Sequence, residues 1–237
     1  MRGPGPTPGH GAEAHRAAVG PVAGARRCAL FATAIGECGI AWQDDALTQV
    51  LLPAADAAAT RSLLQHLSGV RADPGVARHA GAVAGGEPGE PAAARGAGTG
   101  DDPGGEPAVE PWPAFVAEAV RAMQSLLAGE AVSLAGVPVA WHRVGDFERR
   151  VYEATRRLAP GETTTYGEMA RALGDPAAAR AVGVALGRNP WPLVVPCHRV
   201  LAAGGRLGGF SAPGGVATKE RLLAIEARHV RREGELF

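Results

Sequence analysis

The chain has 237 residues with 24 Lys and Arg against 24 Asp and Glu, a length that allows one or two domains. Its three cysteines, Cys28, Cys38 and Cys197, are too sparse and too odd in number for a disulfide framework, and they suit a reducing compartment. No run of about 18 apolar residues suggests a membrane span, and the first residues lack the apolar core of a secretory signal. A cytoplasmic or nucleoid-associated protein with no membrane partner is expected. Residues 1–27 open with Gly, Pro and Ala without apolar periodicity and read as a disordered tail. Cys28 to Thr33 and Gly39 to Trp42 flank Ala34-Ile35-Gly36-Glu37 and predict a hairpin. Ala46 to Leu52 predicts a third strand, ended by Pro53. Ala54 to Leu67 predicts a helix with Leu63, Leu64 and Leu67 on one face and Gly69 at its end. Cys28 and Cys38 lack the usual ligand spacing, so no metal site is expected from them.

Residues 69–111 are dense in Gly, Ala, Pro and acid. With three Arg against seven Asp and Glu, the segment has a local net charge of −4. It has too few large apolar side chains to offset its ordering entropy and reads as a disordered insertion. Beyond it, Trp112 to Ala128 predicts an amphipathic helix with Phe115, Ala119, Met123 and Leu126 on one face and Pro113 in its first turn. Val137 to Trp141 predicts a short strand. Residues 28–142 therefore read as one α/β domain interrupted by residues 69–111.

A second domain is expected over residues 146–230. Asp146 is placed to cap a helix whose buried face is Phe147, Val151, Ala154 and Leu158, stopped by Pro160-Gly161. Thr163 to Tyr166 leads into a helix from Glu168 to Leu173, which Gly174 ends. Asp175 caps the next helix, with Pro176 at its first position, and that helix runs to about Gly187. Helix, short Gly-containing turn, helix fits a helix-turn-helix, although geometry alone favours a plain αα-hairpin. The last helix is predicted from Val216 to His229. From Pro176 to Arg232 there are nine Lys and Arg against two Asp and Glu, a local net charge of +7, which suits a polyanion partner.

The chemistry concentrates at Pro196-Cys197-His198-Arg199-Val200. The lead-in, Asn189-Pro190-Trp191-Pro192-Leu193-Val194-Val195, is rigid at its prolines and apolar at its end. A thiol beside an imidazole is a nucleophile candidate, because the thiolate reacts and nearby cations lower its pKa. Adjacent side chains point apart, so His198 is expected to reach Cys197 through a water.

Several motifs occur in order. Gly161-Glu162-Thr163-Thr164-Thr165-Tyr166-Gly167-Glu168 comes first, then Ala178-Ala179-Arg180-Ala181-Val182-Gly183. The Asn189-to-Val200 stretch follows, then Gly208-Gly209-Phe210-Ser211, then Lys219-Glu220 with Leu222, Leu223 and Glu226. Together they resemble the O6-alkylguanine-DNA alkyltransferases, the methylated-DNA–protein-cysteine S-methyltransferases. The resemblance is continuous over residues 147–229 and weaker over 28–68 and 112–142.

It implies a small antiparallel sheet with helices, ribonuclease-H-like, followed by a mainly α domain with a helix-turn-helix of winged-helix type. It implies a monomer that uses no cofactor and acts on double-stranded DNA containing alkylated guanine, and O4-alkylthymine as well. The base is flipped out from the minor-groove side and its alkyl group passes irreversibly, once, to Cys197. Within that reading His198, Glu226 and Asn189 support Cys197. Arg180 is the wedge, with Ala179 beside it, and Tyr166 meets the target nucleotide. The carbonyl of Val200 and the amide of Ser211 read the guanine. Phe210, Pro192 and Lys219 also belong to the substrate or DNA contacts, and Arg199 joins them more as a brace of the fold. Phe210 stands where many members have Tyr, and Ser211 to Gly215 is about two residues longer than in shorter members. The alternative is a non-catalytic, alkyltransferase-like lesion binder, a group that replaces the cysteine.

Overall fold

The structure, a computed structural model, describes residues 24–69 and 112–234, with side chains through residue 228. Residues 1–23 of the expected tail 1–27 and 70–111 of the expected insertion 69–111 lie outside the described residues, whereas Arg27 belongs to the first strand and Gly69 ends the first helix.

Three strands, β1 (Arg27–Thr33), β2 (Gly36–Gln43) and β3 (Ala46–Leu51), form an antiparallel sheet in sequence order. Thr33 pairs with Gly36, so the hairpin turn is only Ala34-Ile35. Residues on a strand alternate between faces, and the two cysteines separate accordingly. Cys28 pairs with Ala41 and packs with Leu30, Leu51 and Leu64, whereas Cys38 pairs with Phe31 and packs into the larger core on the other face. They do not face each other.

Helix α1 (Ala57–Ser68) covers the smaller cluster. Asp56 caps it, accepting from Ala59 N, and Gly69 ends it at φ 67°, a left-handed conformation that glycine adopts without strain. Thr60, Leu64 and Ser68 are its buried residues, four apart. Leu67, expected on that face, is 46% exposed because the buried stripe runs one residue further round the helix. Helix α2 (Ala114–Ala128) begins after Pro113, which stands at the cap rather than inside the first turn, and it buries Val116, Ala119, Met123 and Leu126.

The expected strand from Val137 to Trp141 is a single bridge between Leu47 and Val139, followed by a 3-10 turn over Trp141–Arg143. Pro138 accepts from Leu47 N but has no N–H to give, so the ladder cannot extend.

Helix α3 (Asp146–Thr155) starts at its expected cap, one residue earlier than anticipated. Arg149 N donates to Gly145 O, so Gly145 is the cap and Asp146 lies in the first turn, where its charge favours the helix N-terminus. Tyr152 is fully buried on this helix and donates to Ala185 O at 2.8 Å. Strand β4 (Thr164–Thr165) pairs in parallel with β5 (Val200–Leu201). Helix α4 (Tyr166–Ala172) opens with a capping box between Thr165 and Glu168. Asp175 caps a 3-10 turn at Pro176–Ala178, and α5 (Ala179–Gly187) follows directly. The last helix is α6 (Gly215–Gly234).

One apolar core runs through the whole assembly. It joins Phe31, Ile40, Leu47 and Val50 of the sheet to Val151, Val182, Trp191, Val200 and Leu222. Among the described residues no helix is long and apolar enough to cross a membrane.

Candidate active site

The lead-in to Cys197 is fixed by a set of side-chain and backbone bonds. The Asn189 amide oxygen accepts from Trp191 N at 2.9 Å, and its nitrogen donates to Val195 O at 2.8 Å and to Cys197 Sγ at 3.3 Å. Trp191 N, a donor, and Val195 O, an acceptor, fix which end of the amide is nitrogen. Pro190 O accepts from Val50 N of β3 at 2.9 Å. The fully buried Trp191 ring stands edge-on to Trp141 and Tyr152, and its Nε1 donates to Leu47 O at 2.9 Å across 144 positions of sequence. Leu193 takes φ 72°, a conformation costing a non-glycine residue on the order of 1–3 kcal/mol. The buried residues on both sides hold it there.

Cys197, His198 and Arg199 form one 3-10 turn, and all three are buried. Behind the turn lies Glu226, 3% exposed. His198 Nε2 lies 3.0 Å from Glu226 Oε1. Arg199 donates from Nε at 3.0 Å and Nη2 at 2.7 Å to the same carboxylate, and from Nη1 to Leu158 O at 2.6 Å. Gly161 N adds a fourth donor group at 3.0 Å. Burial alone would raise the Glu226 pKa, but these bonds and the neighbouring positive charge outweigh it and hold the carboxyl at about 2. A carboxylate only accepts, so His198 Nε2 carries the hydrogen and Nδ1 presents a lone pair. Burial lowers the His198 pKa, which favours this neutral ring. Nδ1 is itself buried, without a hydrogen-bond partner among the described residues.

Cys197 is 8% exposed. Burial raises its pKa, while the Asn189 amide, the Lys219 charge and the backbone amides of Cys197 and His198 act in the opposite direction. Beside the thiol opens a cavity of about 650 Å³. Asn189, Pro192, Phe210 and Ser211 line it with Cys197, and its far side is built by β3 and α1.

A second cluster adjoins Val200. Lys219 Nζ donates to Val200 O at 2.7 Å and lies 5.9 Å from the Tyr166 ring centre. Lys219 was expected among the substrate and DNA contacts, but it is fully buried, and an inward ammonium cannot meet a phosphate. Helical spacing explains this: Lys219, Leu222 and Glu226 lie at i, i+3 and i+7 and are all buried, on the face of α6 turned to the core. That pattern was available in the sequence and would have found it. Tyr166, half-buried, fits between two glycines. A Cβ on Gly208, at φ 68°, would come within 3.5 Å of the ring, and one on Gly183 within 3.9 Å. Burial and the Cys197 charge both raise the phenol pKa.

Arg199 gives its guanidinium to protein acceptors and is 4% exposed, the position of a brace. Ala179 and Arg180 stand apart from the cavity on α5, Arg180 exposed and Ala179 half-buried. Among the described residues no group of three or more His, Cys, Asp and Glu could hold a metal ion.

The family described as "6-O-methylguanine DNA methyltransferase, DNA binding domain" matches residues 146–228. A methylated-DNA–protein-cysteine methyltransferase of Mycolicibacterium paratuberculosis is 52% identical over 87 residues, 37% of this chain and 52% of that protein. One of the same description from Methanosarcina acetivorans is 43% identical over 112 residues, 47% of this chain and 69% of that protein. The alignment thus spans about half of the first relative and just over two thirds of the second. The structure of Mycobacterium tuberculosis OGT in complex with DNA superposes with a TM-score of 0.54 at 27% identity, covering 85% of this chain and 93% of that one.

Proposed function

Because this chain belongs to the methylated-DNA–protein-cysteine methyltransferase family, we propose that it repairs DNA by moving an alkyl group from O6 of guanine onto Cys197. The observation that carries this reading is the position of Cys197. Its thiol borders a cavity, accepts from Asn189, and lies next in sequence to a neutral histidine that a buried carboxylate orients. Nucleophile, base and orienting group recur in this order wherever a side chain is activated for attack.

The thiol proton leaves through a water to His198 Nδ1. The sulfur attacks the carbon on O6 in line, the S–C bond forms, and the O6–C bond breaks with its electron pair going to guanine. Tyr166, whose raised pKa keeps the phenol protonated, gives guanine its proton, and the proton held on His198 restores the phenol through solvent. The product is a thioether, and no second thiol stands ready to resolve it, so each molecule acts once. O4-alkylthymine reacts in the same way. No cofactor takes part.

A base inside a duplex is out of reach and must be extruded, at a cost of a few kcal/mol. In this reading the second half of the chain is a winged-helix type of domain, beside a ribonuclease-H-like sheet domain. Arg180, exposed on α5 among small residues, enters from the minor groove and fills the gap. The carbonyls of Cys197 and Val200 and the amide of Ser211 read the guanine edge. The protein works as a monomer on damaged duplex DNA.

The test is intact mass after mixing with duplex DNA carrying O6-methylguanine, with no metal or small molecule added. One methyl mass on Cys197, in stoichiometric amount, is expected. Many turnovers per molecule, no mass gain, or a gain that persists in Cys197→Ala would overturn the proposal.

A further inference from the structure

We infer that Arg206, on the loop after β5, binds a backbone phosphate of the duplex beside the extruded nucleotide, on the far side of Tyr166 from α5. The inference rests on the DNA repair proposed above and adds a contact that lies outside every motif.

Between Asp175 and Glu220 the chain has no Asp or Glu, so no carboxylate within this stretch balances its cations. Those cations are Arg180, Arg188, Arg199, Arg206 and Lys219. Arg199 and Lys219 are buried and donate to protein acceptors. Arg180 and Arg188 are exposed on α5 and just after it, and Arg206 is exposed on the loop. Ala202 N donates to Arg206 O at 2.8 Å and closes that loop. A Cβ built on Gly204 or Gly205 would meet nothing within 4 Å, so the tip stands clear of the other described residues. Arg206 Nε donates to Ala203 O at 3.2 Å, and its two terminal nitrogens meet no acceptor among the described residues. Tyr166 fixes where the loop lies. A Cβ on Gly183 of α5 would face the Cδ1–Cε1 edge of the ring, and one on Gly208 the opposite edge at Cε2. The ring therefore lies between α5 and the base of the loop, and a duplex that α5 enters on one side meets Arg206 on the other. A guanidinium with free donors matches phosphate oxygens. Held on both sides of Tyr166, the backbone stays in place while its base is out.

The experiment follows single-turnover transfer from an O6-methylguanine duplex over protein concentration, giving a limiting rate and a half-saturating concentration at each salt. Each neutralised phosphate contributes about −0.9 to the slope of log affinity against log salt. Arg206→Ala should keep the limiting rate and flatten the slope by about that amount, so its deficit against wild type shrinks roughly three- to fourfold between about 50 and 200 mM salt. Arg206→Lys restores the charge but not the guanidinium bond to Ala203 O, and it should keep the wild-type slope. A Lys variant that behaves like Ala makes that bond the residue's task and overturns the contact. Arg121→Ala, on the exposed face of α2, should leave the slope unchanged, and an equal flattening there reduces the effect to net charge and overturns the contact. A neutral methylphosphonate is then placed at each phosphate flanking the lesion in turn. One position should weaken wild type as much as Arg206→Ala does and leave that variant unaffected, whereas losses that add at every position overturn the contact. A wild type that transfers no methyl overturns the repair reading itself, and the salt slope of duplex binding in a gel shift still tests Arg206.

Discussion

The two halves of this molecule share one core but bury different things. Among the described residues, the buried polar side chains before residue 130 are Thr48, Thr60 and Ser68. After it they are Thr155, His198, Arg199, Lys219 and Glu226, four of them ionisable. Desolvating ions is expensive, and a buried ion pair is often no more stabilising than an apolar one of the same shape. The sheet half therefore supplies packing that is cheap to make. The second half places its costly groups on one 3-10 turn and one face of α6, around Cys197 and Val200.

The sharpest way to break that contrast is Glu226→Ala. It leaves Arg199 and His198 buried without their acceptor, so unfolding in urea should show a loss of about 3–5 kcal/mol, and transfer to Cys197 should fail. The milder Glu226→Gln separates charge from shape. Glu226 has a folded pKa of about 2 against an ordinary 4.5. Its stabilising contribution is thus fully present above about pH 4.5 and is lost as pH falls toward 2. In Glu226→Gln the stability curve should be flatter across that window, and a curve as steep as wild type would put the acid sensitivity elsewhere.

The counterpart in the first half is Met123→Ala. Met123 is fully buried on α2, and its truncation should cost about 2–5 kcal/mol by the same urea unfolding. The rate per folded molecule should hardly change. A comparable loss of rate would mean that the halves do not divide labour as described.

Arg180→Ala probes an exposed side chain that makes no hydrogen bond or ion pair among the described residues. Stability should stay near wild type, while repair of duplex DNA should slow roughly 30- to 150-fold, equivalent to about 2–3 kcal/mol. Reaction with free O6-benzylguanine, which needs no flipping, should be unaffected. Equal slowing of both reactions would make Arg180 a support of the site.

The smallest effect is expected from deleting residues 72–108 with a short Gly/Ser join. Closing a flexible loop changes stability by only about (3/2)RT times the logarithm of the length ratio. Melting and transfer should both stay close to wild type, and a drop of several degrees would show that the segment packs on the fold.

How much of this was legible in the sequence follows the same division. The strands and α1 announced themselves by alternation, by helical spacing and by Gly69. The Cys197 motif was read from its residues, and the burial of Leu193, Val194 and Val195 came with it. What escaped were features made by distant contacts. Two-residue strands such as β4 and β5 have no periodicity to detect. The Trp191 bond to Leu47 and the α1 wall of the cavity depend on segments far apart in the chain. Lys219 was placed among the contacts by the resemblance alone, whereas its position on α6 relative to Leu222 and Glu226 puts it in the core.

The bond from Trp191 Nε1 to Leu47 O has a consequence for synthesis. A ribosome adds about 5–20 residues each second, so the 144 positions between the two residues take roughly 7 to 30 seconds to make. Throughout that interval β3 has emerged without the indole that closes over it. Until then Val50 N and Leu47 O both lack their native partners from the Pro190-Trp191 turn. Cys197 follows Trp191 by only six residues. The reactive thiol and the bolt that completes its surroundings therefore leave the ribosome almost together.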